Sequence, residues 1–159
     1  MIFGDLNSFA VEFSLDQDYG GEWLFGRFCY WVRGRMLGNY DLGVSLRDVF
    51  FQMQSVVRDC GDRKYDWCDE SALSIYSRLN GVIYGGIACE IDTPARYEIS
   101  IPVDIFDECK AFLIDCGDFG ARIVYSIDGG CTIEEAMIGL GDFDLAIFKC
   151  YEELGRLVS

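Results

Sequence analysis

No histidine occurs among the 159 residues. That absence removes the commonest general base and the commonest transition-metal ligand. A serine or cysteine nucleophile would have no imidazole to activate it. Carboxylate chemistry is what stays open to an enzyme, because Asp and Glu pairs act as acid and base or hold a hard metal. Basic residues are also scarce: 13 Lys and Arg stand against 27 Asp and Glu, a net charge of −14. Such a charge repels nucleic acid and anionic membrane and steers basic partners inward. It also serves plain solubility. No apolar run is long enough to span a bilayer. Met1 to Asp5 has no basic segment leading into an apolar stretch, so no signal peptide is expected. Neither G-x-G-x-x-G nor G-x-S-x-G occurs, and Gly81-x-x-x-Gly85-Gly86 lacks the Lys and Ser/Thr of a phosphate loop. These glycines read as turn residues.

What is present is a core. Hydrophobic residues make up 51% of the chain and aromatics 15%, too much for a disordered acidic tail. The length suits one domain, able to bury about two-thirds of its unfolded surface. The negative charge is uneven. Residues 1–79 hold 12 acids and 8 bases, net −4, whereas residues 80–159 hold 15 acids and 5 bases, net −10. The eight cysteines include no C-x-x-C pair, which argues against structural zinc. Most sit in apolar stretches such as Phe28-Cys29-Tyr30 and Phe148-Lys149-Cys150-Tyr151. They read as reduced core residues of a cytoplasmic protein.

Phe9, Val11, Phe13 and Leu15 alternate with Ala10, Glu12 and Ser14, the pattern of a half-buried strand. Trp23 to Arg33 reads as a second, aromatic-rich strand, and a reversal at Arg33-Gly34-Arg35 leads into a third over 35–41. Short connections make these an antiparallel meander. Ser45 with Asp48 three residues on forms an N-cap for a helix whose Leu46, Val49, Phe50, Met53 and Val57 share a face and which Gly61 ends. A second helix is expected from Asp69-Glu70 to Asn80-Gly81, burying Leu73, Tyr76 and Leu79. Pro94 and Pro102 bracket an expected strand at Tyr97–Ile101. Ala111–Cys116 and Ala121–Ile127 read as a hairpin, and Asp142 caps a last helix with Phe143, Ile147, Cys150, Tyr151, Leu154 and Leu157 on its inner face. The expectation is one α+β domain over 1–159: a mainly antiparallel sheet packed with about three helices.

Three acidic groups stand out: Asp59, Asp62, Asp66, Asp69 and Glu70; Asp104, Asp107, Glu108, Asp115 and Asp118; and Glu134, Glu135, Asp142 and Asp144. None follows a calcium-loop spacing, since Arg63 and Lys64 interrupt the first. No metal and no cofactor is expected. The groups read as solvated helix ends and loops, or as a surface for a basic partner. Trp23, Phe25, Tyr30, Trp31 and Tyr40 crowd the first sheet, as core or, if they face outward, as a binding surface.

The first third carries a more specific pattern. Met1-Ile2-Phe3-Gly4-Asp5, Phe9 to Phe13, Trp23 to Val32 and Gly38-x-Tyr40-Asp41-Leu42-Gly43-x-Ser45-Leu46-Arg47-Asp48-Val49 together resemble the immunity protein 42 family of bacterial polymorphic toxin systems. Gly141 to Asp144 and Tyr151 to Leu154 are similar. The resemblance implies a non-enzymatic protein that binds and neutralises a cognate toxin C-terminal domain in the cytosol. A basic toxin surface, as on a nuclease, suits the acidic charge. Asp104, Asp107, Glu108, Asp115, Asp118, Asp142 and Asp144 are the expected toxin-binding residues. The alternatives are a carboxylate-dependent hydrolase or metal-binding enzyme, and an acidic adaptor or nucleic-acid mimic. No nucleic acid or membrane is expected as a partner.

Overall fold

The computed structural model describes Met1 to Ser159. Strand β1 (Ile2–Gly4) turns back into β2 (Phe9–Leu15), which runs antiparallel to β3 (Phe25–Val32). Phe9, Val11 and Phe13 are buried, as the alternation predicts, while Leu15 at the strand end is exposed. β3 starts two residues later than expected, because Gly21–Trp23 winds into a 3-10 turn and Leu24 takes left-handed backbone at φ 52°. Arg33 and Gly34 both have positive φ, 47° and 79°, giving a two-residue turn whose twist matches the flanking strands. The third strand, β4 (Arg35–Leu37), stops short of residue 41. β5 (Val44–Ser45) then pairs with the opposite end of β3.

Helix α1 (Leu46–Arg58) begins at the expected cap, with the Asp48 backbone N–H donating to Ser45 Oγ at 3.2 Å. It buries Leu46, Val49, Met53 and Val56. Helix α2 (Ala72–Tyr84) departs from expectation at both ends. Ser71, not Asp69 or Glu70, is its cap, accepting from the Ser74 N–H at 3.1 Å. Leu73 faces solvent, and Ile75, Tyr76 and Leu79 form the inner face. Gly81 lies within the helix instead of ending it: a Cβ there would stand 2.8 Å from Ile87 Cδ1, where the chain folds back. The glycine provides close approach, not termination.

The strand expected at Tyr97–Ile101 is reduced to a bridge between Glu98 and Phe112. Pro94 starts a 3-10 turn through Tyr97, and Pro102 has no N–H to continue a ladder. The expected hairpin is present as β6 (Lys110–Asp115) and β7 (Ala121–Ser126). A further strand, β8 (Glu134–Ile138), extends it to three. Its first two residues are acidic and only Ile138 is fully buried, so β8 carries a weak strand signal. Helix α3 (Asp142–Val158) has Gly141 at its cap position, with Asp142 as its first residue. It buries Phe143, Ala146, Ile147, Cys150 and Leu154, spaced by three and four.

The result is an α+β fold of two antiparallel sheets, one of five strands and one of three, with three helices. Both sheets, α1 and α3 share one core. The smaller sheet is buried on both faces: Leu113 and Ile123 face the shared core, while Phe112, Ile114 and Val124 pack with Ile75, Tyr76 and Leu79 of α2. All of β7 is buried, which is why that segment reads as a continuous run and not as an alternation.

Asp128 shapes the β7–β8 connection. Its Oδ1 accepts from the Thr132 N–H at 2.8 Å and the Ser126 hydroxyl at 2.8 Å. The Thr132 bond foremost, then Ser126, lowers its carboxyl from 3.8 to about 2. A carboxyl depressed by folding stabilises the protein above its unfolded pKa and loses that contribution as it protonates. The contribution is therefore complete above about pH 5 and falls away as pH drops through 3.8 toward 2. Asp128→Asn should flatten the stability profile in that window, read by denaturant unfolding at a series of pH values.

Candidate functional site

Of the seven acids expected to bind a partner, five lie at the two ends of β6 and two at the start of α3. Asp104, Asp107 and Glu108 precede the strand and face solvent. Ile105 and Phe106, between them, are buried in the core, which turns the flanking acids outward. Asp115 is the last residue of β6 and Asp118 follows it, so the length of the strand, roughly 20 Å, separates them from the first three. Asp118 is exposed on the turn to β7. Asp142 and Asp144 stand in the first turn of α3. Burial foremost, then the Asp144 charge, raises the Asp115 carboxyl above its ordinary range.

Asp142 and Asp144 are engaged within the molecule. The Ser8 hydroxyl donates to Asp142, and the same Oγ accepts from the Gly139 N–H at 3.3 Å. Asp144 accepts from the Gly61 N–H at 2.9 Å and from Arg63 Nη1 at 3.4 Å. Arg63, which the sequence offers only as an interruption of an acidic run, is 1% exposed. Its Nε donates to the Arg96 carbonyl at 2.7 Å and its Nη2 to the Val56 carbonyl at 2.7 Å. Its guanidinium lies 5.2 Å from the Phe143 ring centroid. One side chain thus joins the end of α1, the Pro94 turn and the start of α3. Arg122, 8% exposed, does similar work: it donates to the Cys68 and Glu70 carbonyls at 3.1 and 2.6 Å and pairs with Glu135. Arg63→Ala leaves the Val56 and Arg96 carbonyls without its guanidinium and Asp144 without its cation, and should cost about 3 kcal/mol or more in urea unfolding. Arg63→Lys should recover little of it, because an ammonium cannot present the same fork.

The expectation of eight reduced thiols needs a correction. Cys68 and Cys116 are joined as a disulfide, their Cα atoms 5.8 Å apart across 48 residues of sequence. The pair ties the α1–α2 connection to the end of β6, a proximity that only the fold creates. Cys29 and Cys150 are buried as expected, and so is Cys109. Burial pushes the Cys29 thiol up to about 12 and the Cys109 thiol up to about 11. Cys89 and Cys131 are exposed. A thiol reagent should label Cys89 and Cys131 rapidly in the native protein. Denaturation without reductant should bring the total to six, and reductant to eight.

Two open grooves flank the Gly38–Gly43 loop. One, of about 590 Å³, is lined by Phe25, Leu42 and Val103 together with Asp16, Asp48 and Asp104. The other, of about 540 Å³, brings Asp41, Asp107 and Glu108 near Met36 and Tyr40. Leu42 and Asp104 belong to both. Asp115 lines neither. No group of three or more His, Cys, Asp or Glu side chains is arranged to hold a metal ion. No helix is long and apolar enough to cross a membrane. The aromatic set divides. Tyr30 is buried, its hydroxyl donating to the Ile99 carbonyl at 3.0 Å, and Trp31 is half-buried, its indole N–H donating to Glu12 at 2.8 Å. Trp23 and Phe25 face solvent.

This is a fold whose open surfaces, not an enclosed cavity, carry its acids and exposed aromatics. It is shared with a solved structure, the crystal structure of CdiI from Burkholderia dolosa AUO158, at a TM-score of 0.78 and 15% identity, covering 96% of this chain and 99% of that one. No curated protein matches the chain. The family model described as Immunity protein 42 matches residues 1–153, and the chain belongs to that family. The match extends well beyond the first 51 residues, where the sequence resemblance is clearest, and takes in both sheets and most of α3.

Proposed function

We propose that this protein binds the C-terminal toxin domain of a contact-dependent inhibition system and neutralises it by occupation. The family match over residues 1–153 carries this reading. The likeness to CdiI supports it through the fold. The protein acts in the cytosol of the producing cell or a sibling. A charge of −14 with exposed carboxylates on two grooves suits a toxin with a basic surface, and a nuclease cleft is the best physical fit. Long-range attraction speeds such an encounter and weakens with salt.

A hydrolase would need two carboxylates converging in an enclosed site. Here the acids spread along open grooves and the half-buried Asp115 lies apart from them. An adaptor would bind several basic proteins with similar strength. Expressing the toxin domain encoded by the adjacent gene should arrest growth, and co-expressing this chain should restore it through a one-to-one complex. Absence of both rescue and complex would overturn the reading.

A further inference from the structure

We propose that the toxin docks on the outer end of the first sheet, where Phe25 and Leu42 share a groove with Asp48 and Asp104 and the exposed Trp23 stands two residues before Phe25. This rests on the immunity reading above and locates its contact surface. The occupant is a toxin face that presents an apolar side chain ringed by lysine or arginine.

The apolar part carries the argument. Trp23 is 52% exposed, Phe25 46% and Leu42 58%, and the latter two line the larger groove. Large apolar side chains grouped at a concavity and bordered by charge mark an association surface, and tryptophan is among the strongest contributors to such surfaces. Trp23 also has a donor to offer. Trp31 directs its indole N–H to Glu12, whereas that of Trp23 has no partner within the protein. The surface is assembled from three separate segments and its backbone is held in place. Ser45 Oγ donates to the Trp23 carbonyl at 3.0 Å, the Leu46 N–H donates to the Leu24 carbonyl at 3.0 Å, and Phe25 pairs with Ser45 in the sheet. Little ordering is left for binding to supply, which favours affinity.

Charge identifies the occupant. Arg27 sits 3.9 Å from Asp16 and 3.3 Å from Asp41, and Arg47 3.0 Å from Glu22, so each of those acids has a cation beside it. Asp48 and Asp104, on the same groove, form no ion pair. Two unmatched carboxylates beside an apolar floor favour a cationic rim on the partner and penalise an acidic one. The rival surface is the β6–β7 turn, where Phe119 is 85% exposed beside Asp118. It offers one aromatic side chain, whereas Phe25 and Leu42 share a groove with two unpaired carboxylates.

The test is calorimetric titration of the full chain with the purified toxin domain encoded by the adjacent gene. Trp23→Ala, Leu42→Lys and Asp104→Lys should each weaken Kd about tenfold or more. Asp104→Lys should also reduce the dependence of the association rate on salt. A Phe119→Ala, Asp118→Lys double variant should bind within about threefold of the parent. All substituted side chains are exposed, and thermal melts matching the parent show that the fold is kept. If the parent binds and the first three variants bind as tightly, the surface is wrong while the immunity reading stands. Loss confined to the Phe119 variant has the same meaning and points to the β6–β7 turn. If the parent itself does not bind, the immunity reading falls and this surface with it.

Discussion

Arg63 is the largest of the fully buried side chains, and the meeting of the end of α1, the Pro94 turn and the start of α3 is built around it. A charge withdrawn from water is costly unless every donor is met. Here the donors reach the last turn of α1, the carbonyl of Arg96, and Asp144 at the start of α3, with the Phe143 ring alongside. Asp144 brings a negative charge to the positive end of its helix, and the guanidinium meets carbonyls at the negative end of α1. The irregular segment between α1 and α2 is then closed from the other side by Arg122, through the Cys68 and Glu70 carbonyls. Two cations organise a connection that is otherwise rich in acids.

That arrangement divides the carboxylates by role. In a chain with 27 acids and 13 bases, many carboxylates must do without a cation. Those that cap, bridge or hold a buried arginine are committed to the fold: Asp128, Asp142 and Asp144. Those on the turn before β6 face outward because Ile105 and Phe106 anchor it from below. The surplus charge is thus displayed at places the core has fixed, next to exposed apolar side chains of the first sheet.

Much of the fold is legible in the sequence where a local rule operates. The β2 alternation, the Arg33-Gly34 turn, the Ser45 cap and the inner face of α3 each depend on residues within a few positions of one another. Legibility fails where a distant contact decides. Gly81 looks like a stop signal but is a place for Ile87 to pack. β8 begins with two acids and becomes a strand because β7 offers it an edge. The segment at Tyr97–Ile101 has the side chains of a strand but forms only one bridge between its prolines. Of the candidate site, the acid types were legible and their grouping was not: neighbours in sequence such as Glu108 and Asp115 lie at opposite ends of β6.

The sequence by itself determined the absence of imidazole chemistry, the strong negative charge, the α+β class and, through the combined patterns of the first 51 residues, the family. These follow from composition and from short-range order, which need no knowledge of the fold. The tertiary structure decided which arginine is buried, which two cysteines meet, which acids are committed inward, and that Trp23 and Phe25 face solvent while Tyr30 does not. Each of these depends on segments far apart in the chain arriving at one place, and no local pattern encodes that arrival.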